Sequence, residues 1–523
     1  SLKYVSDERL AEAWDGEEGQ SSQAELLENG NFEAGLEGWA VEVHDGAEAF
    51  NEVVEASGGQ KALEIDVTNL GSASWHVQFN YPGLEVKAGE KYLVKFRARA
   101  DGEARISISL KQAHDPWKDL SIRVGIGLTP EWGEYEVALT ASEPELNARL
   151  DISDLGAVKT AYQFSNFSLK PFRGHGLIEG ESLRDSTVQI LMLGEYGKRT
   201  AAAERDWVEF LYGLEEEYFT GMHRYLDEEL GVKALTIGTI VGCSTPNIMS
   251  QLDVIDTHAY WNHPAFPGTP WDSNDWYVVN EPMVNHLDDG TLSSLALKKV
   301  YNKPFIVSEY NHPAPNMYDA ETVMTLAIYA ALQDWDGIFL FDYGSRDDWD
   351  AMRIRGYFDV DQHPIKMASF IPAYMVFVRG DVEPADYLLT SKLERRREID
   401  LIASGRIVAW DLPDGGNLGM GSDTPLMHRT ALIVGDEPEL NFKVNVSGSV
   451  YVSDNYEVTW NITDRERGML LVNTSRSIAV VGFVGGESLD FGGLMVEPGD
   501  ALLDGWSVVT LSVSEGDSFR NWD

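Results

Sequence analysis

One cysteine, Cys243, in 523 residues rules out an intramolecular disulfide and any multi-cysteine metal site. A lone thiol near a predicted strand end reads as a small buried side chain rather than a nucleophile. Basic residues are also scarce: 41 Lys+Arg stand against 85 Asp+Glu, a net charge of −44. Such a surface repels nucleic acid and anionic membranes, so neither is expected as a partner. It suits a neutral ligand, and a saline medium in which self-repulsion is screened. No apolar run reaches the length of a membrane span, and the first residues lack the basic-then-apolar pattern of a signal peptide. Internal repeats and low-complexity tracts are missing too. What remains is an ordinary globular composition, 43% hydrophobic and 24% charged. The length accommodates about three or four domains.

The organising stretch lies at 303–313, where the short apolar run Phe305, Ile306, Val307 follows Pro304 and leads into Ser308, Glu309, Tyr310 and Asn311. This reads as a buried strand of a parallel sheet. In a β/α barrel the reacting groups project from the C-terminal strand ends. A carboxylate there, among aromatic and amide side chains, is placed to act on a neutral polar substrate such as a sugar. Around it the period alternates. Trp207, Phe210, Leu211, Leu214, Tyr218, Met222 and Leu226 recur at helical spacing over 205–231, with Gly231 as the stop. Residues 234–240 read as a strand, as do 254–261, which end in Asp256, His258, Tyr260 and Trp261. A helix over 318–333 and a strand over 337–343 follow. Strands alternating with helices predict βα units and a parallel sheet. His258 and Tyr260 are two apart and share one strand face, from which both can bond the Glu309 carboxylate.

The flanks have a different texture. From Leu26 to about 172, short alternating runs such as 91–98 and 105–110 are separated by Gly- and Asp-bearing turns, the pattern of an antiparallel sandwich. After Ala385 the helices are expected to stop. Short strands at 406–410, 448–452, 458–460, 469–472, 479–483 and 506–511 predict a second sandwich, whose expected role is packing against the preceding domain. The expected domains are 1–23 (barrel segment and linker), 24–172, 173–383 and 384–523.

Two resemblances give these segments chemistry. The motifs at 29–33, Gly38-Trp39 and 74–79, with the segments 88–92, 112–117, 132–135 and 163–169 in the same order, resemble carbohydrate-binding modules of families four, nine and twenty-two. The resemblance implies a jelly-roll β-sandwich whose cleft holds a glycan chain, with aromatic faces on the sugar rings and amides on the hydroxyls. Trp75, Gln78, Gln112 and Trp117 are the implied contacts, while Trp39 and Trp132 read as core. Such modules often hold a structural calcium, for which Glu28, Glu33 and Asn166 would supply oxygens.

The constellation Asp-x-His-x-Tyr-Trp, Ser-Glu-Tyr-Asn and Phe-Asp-Tyr resembles the second half, strands five to eight, of the (β/α)8 TIM barrel of glycoside hydrolase clan A. It is nearest the cellulase-like enzymes of family five. This implies Glu309 as the nucleophile of a retaining mechanism, with a second carboxyl at about 5–5.5 Å as acid/base. His258 and Tyr260 would support Glu309, Trp261 or Tyr343 would stack on a sugar ring, and Asp256 and Asn311 would add substrate contacts. The clan's strand-four Glu has no match. Asn280-Glu281-Pro282 falls 28 residues before Glu309, too close for two βα units of roughly 30 residues each. Glu195 does no better. The chain is therefore expected to lack the barrel's first half, with the sandwich inserted in the strand-four loop. A partner chain or segment, or a homo-oligomer, would complete the barrel. The composite expectation is an extracellular (secreted) retaining β-glycoside hydrolase of a polysaccharide, a β-1,4-glucan or mannan, with no cofactor for catalysis. The rivals are a glycan-binding or scaffold protein with a degenerate barrel, and a transglycosylase on the same machinery.

Overall fold

The computed structural model describes residues 3–15, 24–56, 59–192, 197–286, 290–348, 350–404, 412, 419–435 and 448–519. The chain divides into two compact units, Ser1–Leu214 with Ile399–Val408, and Glu215–Glu398 with Ala409–Asp523.

In the first unit, helix α1 (Asp7–Asp15) buries Leu10 and Trp14, which pack with Ala203. The Trp14 indole N–H donates to Asp206 at 2.9 Å. Ten strands follow: β1 (Ala40–Val43), β2 (Glu48–Glu55), β3 (Lys61–Asn69), β4 (Val77–Val86), β5 (Lys91–Ala100), β6 (Ala104–Gln112), β7 (Val124–Leu128), β8 (Gly133–Thr140), β9 (Glu145–Ser153) and β10 (Ala161–Phe172). They form two five-stranded sheets, β1-β4-β9-β6-β7 and β2-β3-β10-β5-β8. Strict alternation builds the sandwich. Val77, Phe79, Ile108, Leu110, Leu150 and Ile152 point into the core beside Phe96 and Phe164. Their neighbours point out from the first sheet. The Asn29 motif is a brace for this core. Its amide donates to the Gly35 and Glu37 carbonyls, both at 3.0 Å, and its side-chain oxygen accepts from Ala34 N–H at 2.9 Å. Gly30 has no alternative, since a Cβ would stand 2.0 Å from the Phe167 carbonyl oxygen. Trp39 is core, as expected, against Phe32, Phe79 and Phe167.

Helix α2 (Ala201–Arg224) runs into a π-helical turn, Tyr225–Glu229, and the chain leaves it through Gly231 at φ +63°. The stop residue is the expected one. Along the apolar stripe of the helix, Phe210, Leu211, Leu214, Tyr218 and Met222 are exposed.

The second unit holds helix α3 (Pro246–Met249), strand β11 (Ile255–Tyr260), helix α4 (Thr291–Ala296), strand β12 (Phe305–Asn311), helix α5 (Glu321–Leu332), strand β13 (Gly337–Leu340) and helix α6 (Pro364–Phe377). The sheet β11-β12-β13 is parallel throughout. It has three strands rather than the expected four, and among the described residues no barrel closes. The strand expected over 234–240 is reduced to isolated bridges at Ile237 and Val241. Its backbone is bonded to side chains instead: Thr236 N–H donates to Asp253 Oδ2 at 2.8 Å, and Thr239 N–H meets Met249 Sδ at 3.3 Å. Cys243, expected to be buried, is exposed.

Helix α5 is buried on every side and so shows no amphipathic pattern. It packs on β13, α6 and the C-terminal strand Ser477–Phe483. After α6 the helices do not stop. A parallel pair, β14 (Leu388–Lys392) with β15 (Arg429–Ile433), brackets helix α7 (Arg395–Ala403). The expected strand at 406–410 lies outside the described residues. The other tail strands appear as β16 (Val450–Val452), β17 (Val458–Asn461), β18 (Met469–Asn473), β19 (Ser477–Phe483) and β22 (Trp506–Ser512), in one antiparallel sheet. The short pair β20 (Leu489–Asp490) and β21 (Met495–Val496) lies between the last two. The tail does pack on the preceding segment: the Trp460 indole donates to the Val284 carbonyl at 2.8 Å, and Tyr318 meets Trp506 edge-on at 5.2 Å.

One buried carboxyl in this unit makes stability pH-dependent. Glu321, at the start of α5, accepts from the Met283 and Val284 N–H groups at 2.5 and 3.4 Å. Burial outweighs those bonds and pushes its pKa from 4.5 up to about 8. Between those values the folded chain holds a proton that the unfolded chain releases, so stability falls as pH rises. The loss is at most about 1.4 kcal/mol per pH unit. Glu321→Gln keeps the acceptor and removes the titration. Its urea midpoint is expected to fall less between about pH 5 and pH 8 than that of the wild type.

Candidate functional sites

The outward face of β1-β4-β9-β6-β7 is polar where a solvated sheet needs no network at all. Register places Glu42 opposite Gln78, Asn80 opposite Asp151, Asp151 opposite Ser109, and Arg149 opposite Lys111. The Glu42 carboxylate accepts from Gln78 at 2.7 Å, Asn80 at 2.9 Å and Arg149 at 3.1 Å. Arg149 also pairs with Asp151 at 2.8 Å. Burial raises the Asp151 pKa against the pull of Arg149. One aromatic ring lies on this floor, and a second reaches its edge through His44, which faces Glu42 at 3.6 Å. Trp75, on a turn braced by Ser74 Oγ donating to Asp154 at 2.7 Å, is 44% exposed and packs on His44 and His76. Trp117, on the β6–β7 loop, is 46% exposed and lies over the Arg149 guanidinium at 5.1 Å. The arrangement offers flat apolar faces beside fixed donors and acceptors, the recognition chemistry of a polyhydroxylated ring.

Of the expected contacts, Trp75 and Trp117 are open to a ligand. Gln78 is buried and bonded to Glu42, so it holds the floor in place. Gln112 at the end of β6 donates to Glu145 at 3.1 Å. Glu42, Asn80, Arg149 and Asp151 were not anticipated. Their signal was the alternation of polar with apolar residues along 77–81 and 148–153. Trp132 is half-buried over Arg97 rather than core. Glu28 and Glu33 are exposed, Asn166 sits at φ +54° on the β10 bulge, and the described residues hold no group of His, Cys, Asp and Glu fit for a metal ion.

The second site lies at the C-terminal ends of β11 and β12. Pairing runs Thr257 to Val307 and then jumps to His258 opposite Glu309, leaving Ser308 as a bulge. A bulge re-aims the side chains beside it. The Ser308 N–H, without a ladder partner, donates to Asp256 Oδ1 at 3.0 Å, and its hydroxyl donates to Oδ2 at 2.6 Å. The Tyr260 hydroxyl donates to Glu309 Oε2, and His258 Nδ1 faces the same oxygen at 3.5 Å. Burial and the adjacent carboxylate push the Tyr260 hydroxyl well above the usual phenol range, so it remains a donor. Beyond β13, burial and Asp359 raise the Asp342 pKa, and Asp342 in turn acts on Tyr260.

Glu309, His258 and Tyr260 therefore come together as anticipated. Three other expected contacts are engaged within the protein. Asn311 is fully buried: its amide donates to the Phe341 and Phe358 carbonyls at 2.5 and 2.7 Å, and its oxygen accepts from Lys366 at 2.9 Å. Trp261 is buried against His286 and donates to the Glu281 carbonyl at 3.1 Å. Asp256 is buried and accepts from the Ser308 N–H and hydroxyl. Tyr343 is exposed. Glu281, in a loop, meets Asn262 and His286. Glu195 lies outside the described residues.

The model of the family described as Carbohydrate binding domain matches residues 24–152. No curated protein matches the chain. Among solved structures, one described as "CBM4 structure and function" is 22% identical, covering 28% of this chain and 99% of its own, with a TM-score of 0.24. The second N-terminal cellulose-binding domain of Cellulomonas fimi β-1,4-glucanase C is 21% identical over 29% of this chain and 98% of its own, TM-score 0.24. The CBM22-1–GH10 modules of Clostridium thermocellum endo-1,4-β-D-xylanase 10B, complexed with xylohexaose, are 14% identical over 28% of each chain, TM-score 0.22. The part of this chain that is similar to carbohydrate-binding domains is thus residues 24–152, within the two-sheet sandwich.

Proposed function

We propose that the chain is an extracellular retaining β-glycoside hydrolase of a polysaccharide, a β-1,4-glucan or mannan, whose N-terminal sandwich binds the glycan. The observation that carries the catalytic half is the convergence of Tyr260 and His258 on one oxygen of Glu309 at adjacent parallel strand ends. In this reading Glu309 Oε1 attacks the anomeric carbon and the leaving oxygen departs with the bonding pair. Tyr260 holds Oε2 by donating to it while the ester forms, with His258 packed beside that oxygen, and water later cleaves the ester. Tyr343 supplies a stacking face. The acid that protonates a poor leaving group comes from a partner chain or segment, which would also cover the exposed apolar stripe of α2.

The rival, a glycan-binding protein without turnover, draws on the same sandwich. Reducing-end release from soluble β-glucans and β-mannans by the purified chain separates them. Hydrolysis lost in Glu309→Gln supports Glu309 as the nucleophile and overturns the external acid, placing the acid on this chain; Asp342→Asn is then the next variant. Binding with no release from polymers, and no release from an activated aryl β-glycoside that needs no acid, favours the rival.

A further inference from the structure

Ser308 has one hydroxyl proton, and two neighbours compete to define where it goes. The hydroxyl lies 2.6 Å from Asp256 Oδ2 and 2.6 Å from His258 Nε2. Asp256 offers only acceptors when ionised, and its other oxygen already takes the Ser308 N–H at 3.0 Å. The serine proton is therefore committed to Asp256. The serine oxygen can then serve His258 only as an acceptor, which requires a hydrogen on Nε2. Asp256 and His258 Nε2 lie 3.6 Å apart, so the serine oxygen mediates between them. The neutral ring then has a lone pair on Nδ1, the nitrogen that faces Glu309 Oε2 at 3.5 Å. The groups around the ring are thus Asp256 on its own strand, Ser308 and Glu309 from β12, and Tyr260, whose hydroxyl goes to Glu309.

We propose that Asp256 and Ser308 are positioning residues that lock neutral His258 in its Nε2–H tautomer, so that a lone pair rather than a donor faces the Glu309 carboxylate. The bulge makes this arrangement by releasing the Ser308 N–H from the strand ladder to Asp256, beside the hydroxyl that bonds the same carboxylate. Its consequence rests on the hydrolase reading: Glu309 Oε2 keeps a single donor, Tyr260, and the lone-pair repulsion is relieved when the carboxylate becomes an ester. A donor on Nδ1 would instead stabilise the free carboxylate and weaken it as a nucleophile.

Asp256→Asn tests the lock because an amide has the opposite polarity on one side. With its oxygen on the Ser308 N–H, its NH2 must donate to the Ser308 hydroxyl oxygen. The serine proton then turns to His258 Nε2, and the ring hydrogen moves to Nδ1. The experiment is 15N NMR of the full chain labelled at histidine, at a pH where the ring is neutral, with His258 assigned through His258→Gln. The lock predicts a pyrrole-like Nε2 and a pyridine-like Nδ1 in the wild type, exchanged in Asp256→Asn. A pyrrole-like Nδ1 in the wild type overturns it without recourse to any variant, as does an unchanged tautomer in a folded Asp256→Asn. Neither readout needs substrate, so the lock fails or stands apart from the proposed activity. With an activated aryl β-glycoside, Asp256→Asn is further expected to lower kcat about tenfold with KM little changed.

Discussion

Glu309→Gln is expected to abolish dinitrophenolate release from 2,4-dinitrophenyl β-cellobioside, a loss on the order of 10⁴-fold or more, as removal of a covalent nucleophile does elsewhere. The activated leaving group makes the test fair. Dinitrophenolate departs without protonation, so turnover reports on attack by Glu309 even if the acid comes from elsewhere. The amide retains the volume of the carboxylate and can still accept from Tyr260, so a folded variant with normal glycan binding by the sandwich isolates the chemistry. Tyr260→Phe should cost far less. It removes one charge-assisted hydrogen bond, worth about 1.5–3 kcal/mol, or roughly tenfold to a hundredfold in kcat/KM. Equal losses in the two variants would mean that Tyr260 is doing more than holding Oε2. A fully active Glu309→Gln would remove Glu309 from the reaction.

The second large effect belongs to the sandwich. Trp117→Ala is expected to weaken binding of a β-1,4-gluco- or manno-oligosaccharide by about 2 kcal/mol, roughly a thirtyfold rise in Kd, the scale of an aromatic anchor at an interface. Trp117 presents one face to solvent and the other to the Arg149 guanidinium. Its removal therefore takes away a stacking surface and loosens the side chain that ties Glu42 to Asp151. Trp75→Ala should fall in the same range. Trp132→Ala, beside the other sheet over Arg97, should leave Kd unchanged. Isothermal titration with the full chain reads all three. If Trp132 mattered and Trp117 did not, the binding face would be the opposite one.

How these sites announced themselves in the sequence differs in an instructive way. The sandwich was legible because alternation has a period of two, and a single face must be apolar. The same alternation also carried Glu42, Gln78, Asn80, Arg149 and Asp151, but polar outward residues look alike until register shows that they share one carboxylate. The triad of Glu309, His258 and Tyr260 was legible because all three sit at the ends of recognisable buried strands. Asn311 and Trp261 sit at those same ends and were read as substrate contacts. A bulge and two backbone carbonyls, which no local pattern encodes, turned Asn311 inward. The segment 234–240 has the composition of a strand, yet Asp253 and Met249, close in space rather than in sequence, took its N–H groups. Helix α2 shows the converse case. Its stripe was correctly read as apolar, while what covers that stripe lies beyond anything its own residues can specify.

The most direct test of the account is the mass of the protein after incubation with 2,4-dinitrophenyl 2-deoxy-2-fluoro-β-cellobioside. The fluorine slows both steps, but the leaving group restores the first, so an ester accumulates in a retaining enzyme. The account predicts one added fluorocellobiosyl group, carried after digestion by the peptide that contains Glu309 and missing in Glu309→Gln. An adduct on another residue, or an unmodified chain that still binds the glycan through Trp75 and Trp117, would contradict it.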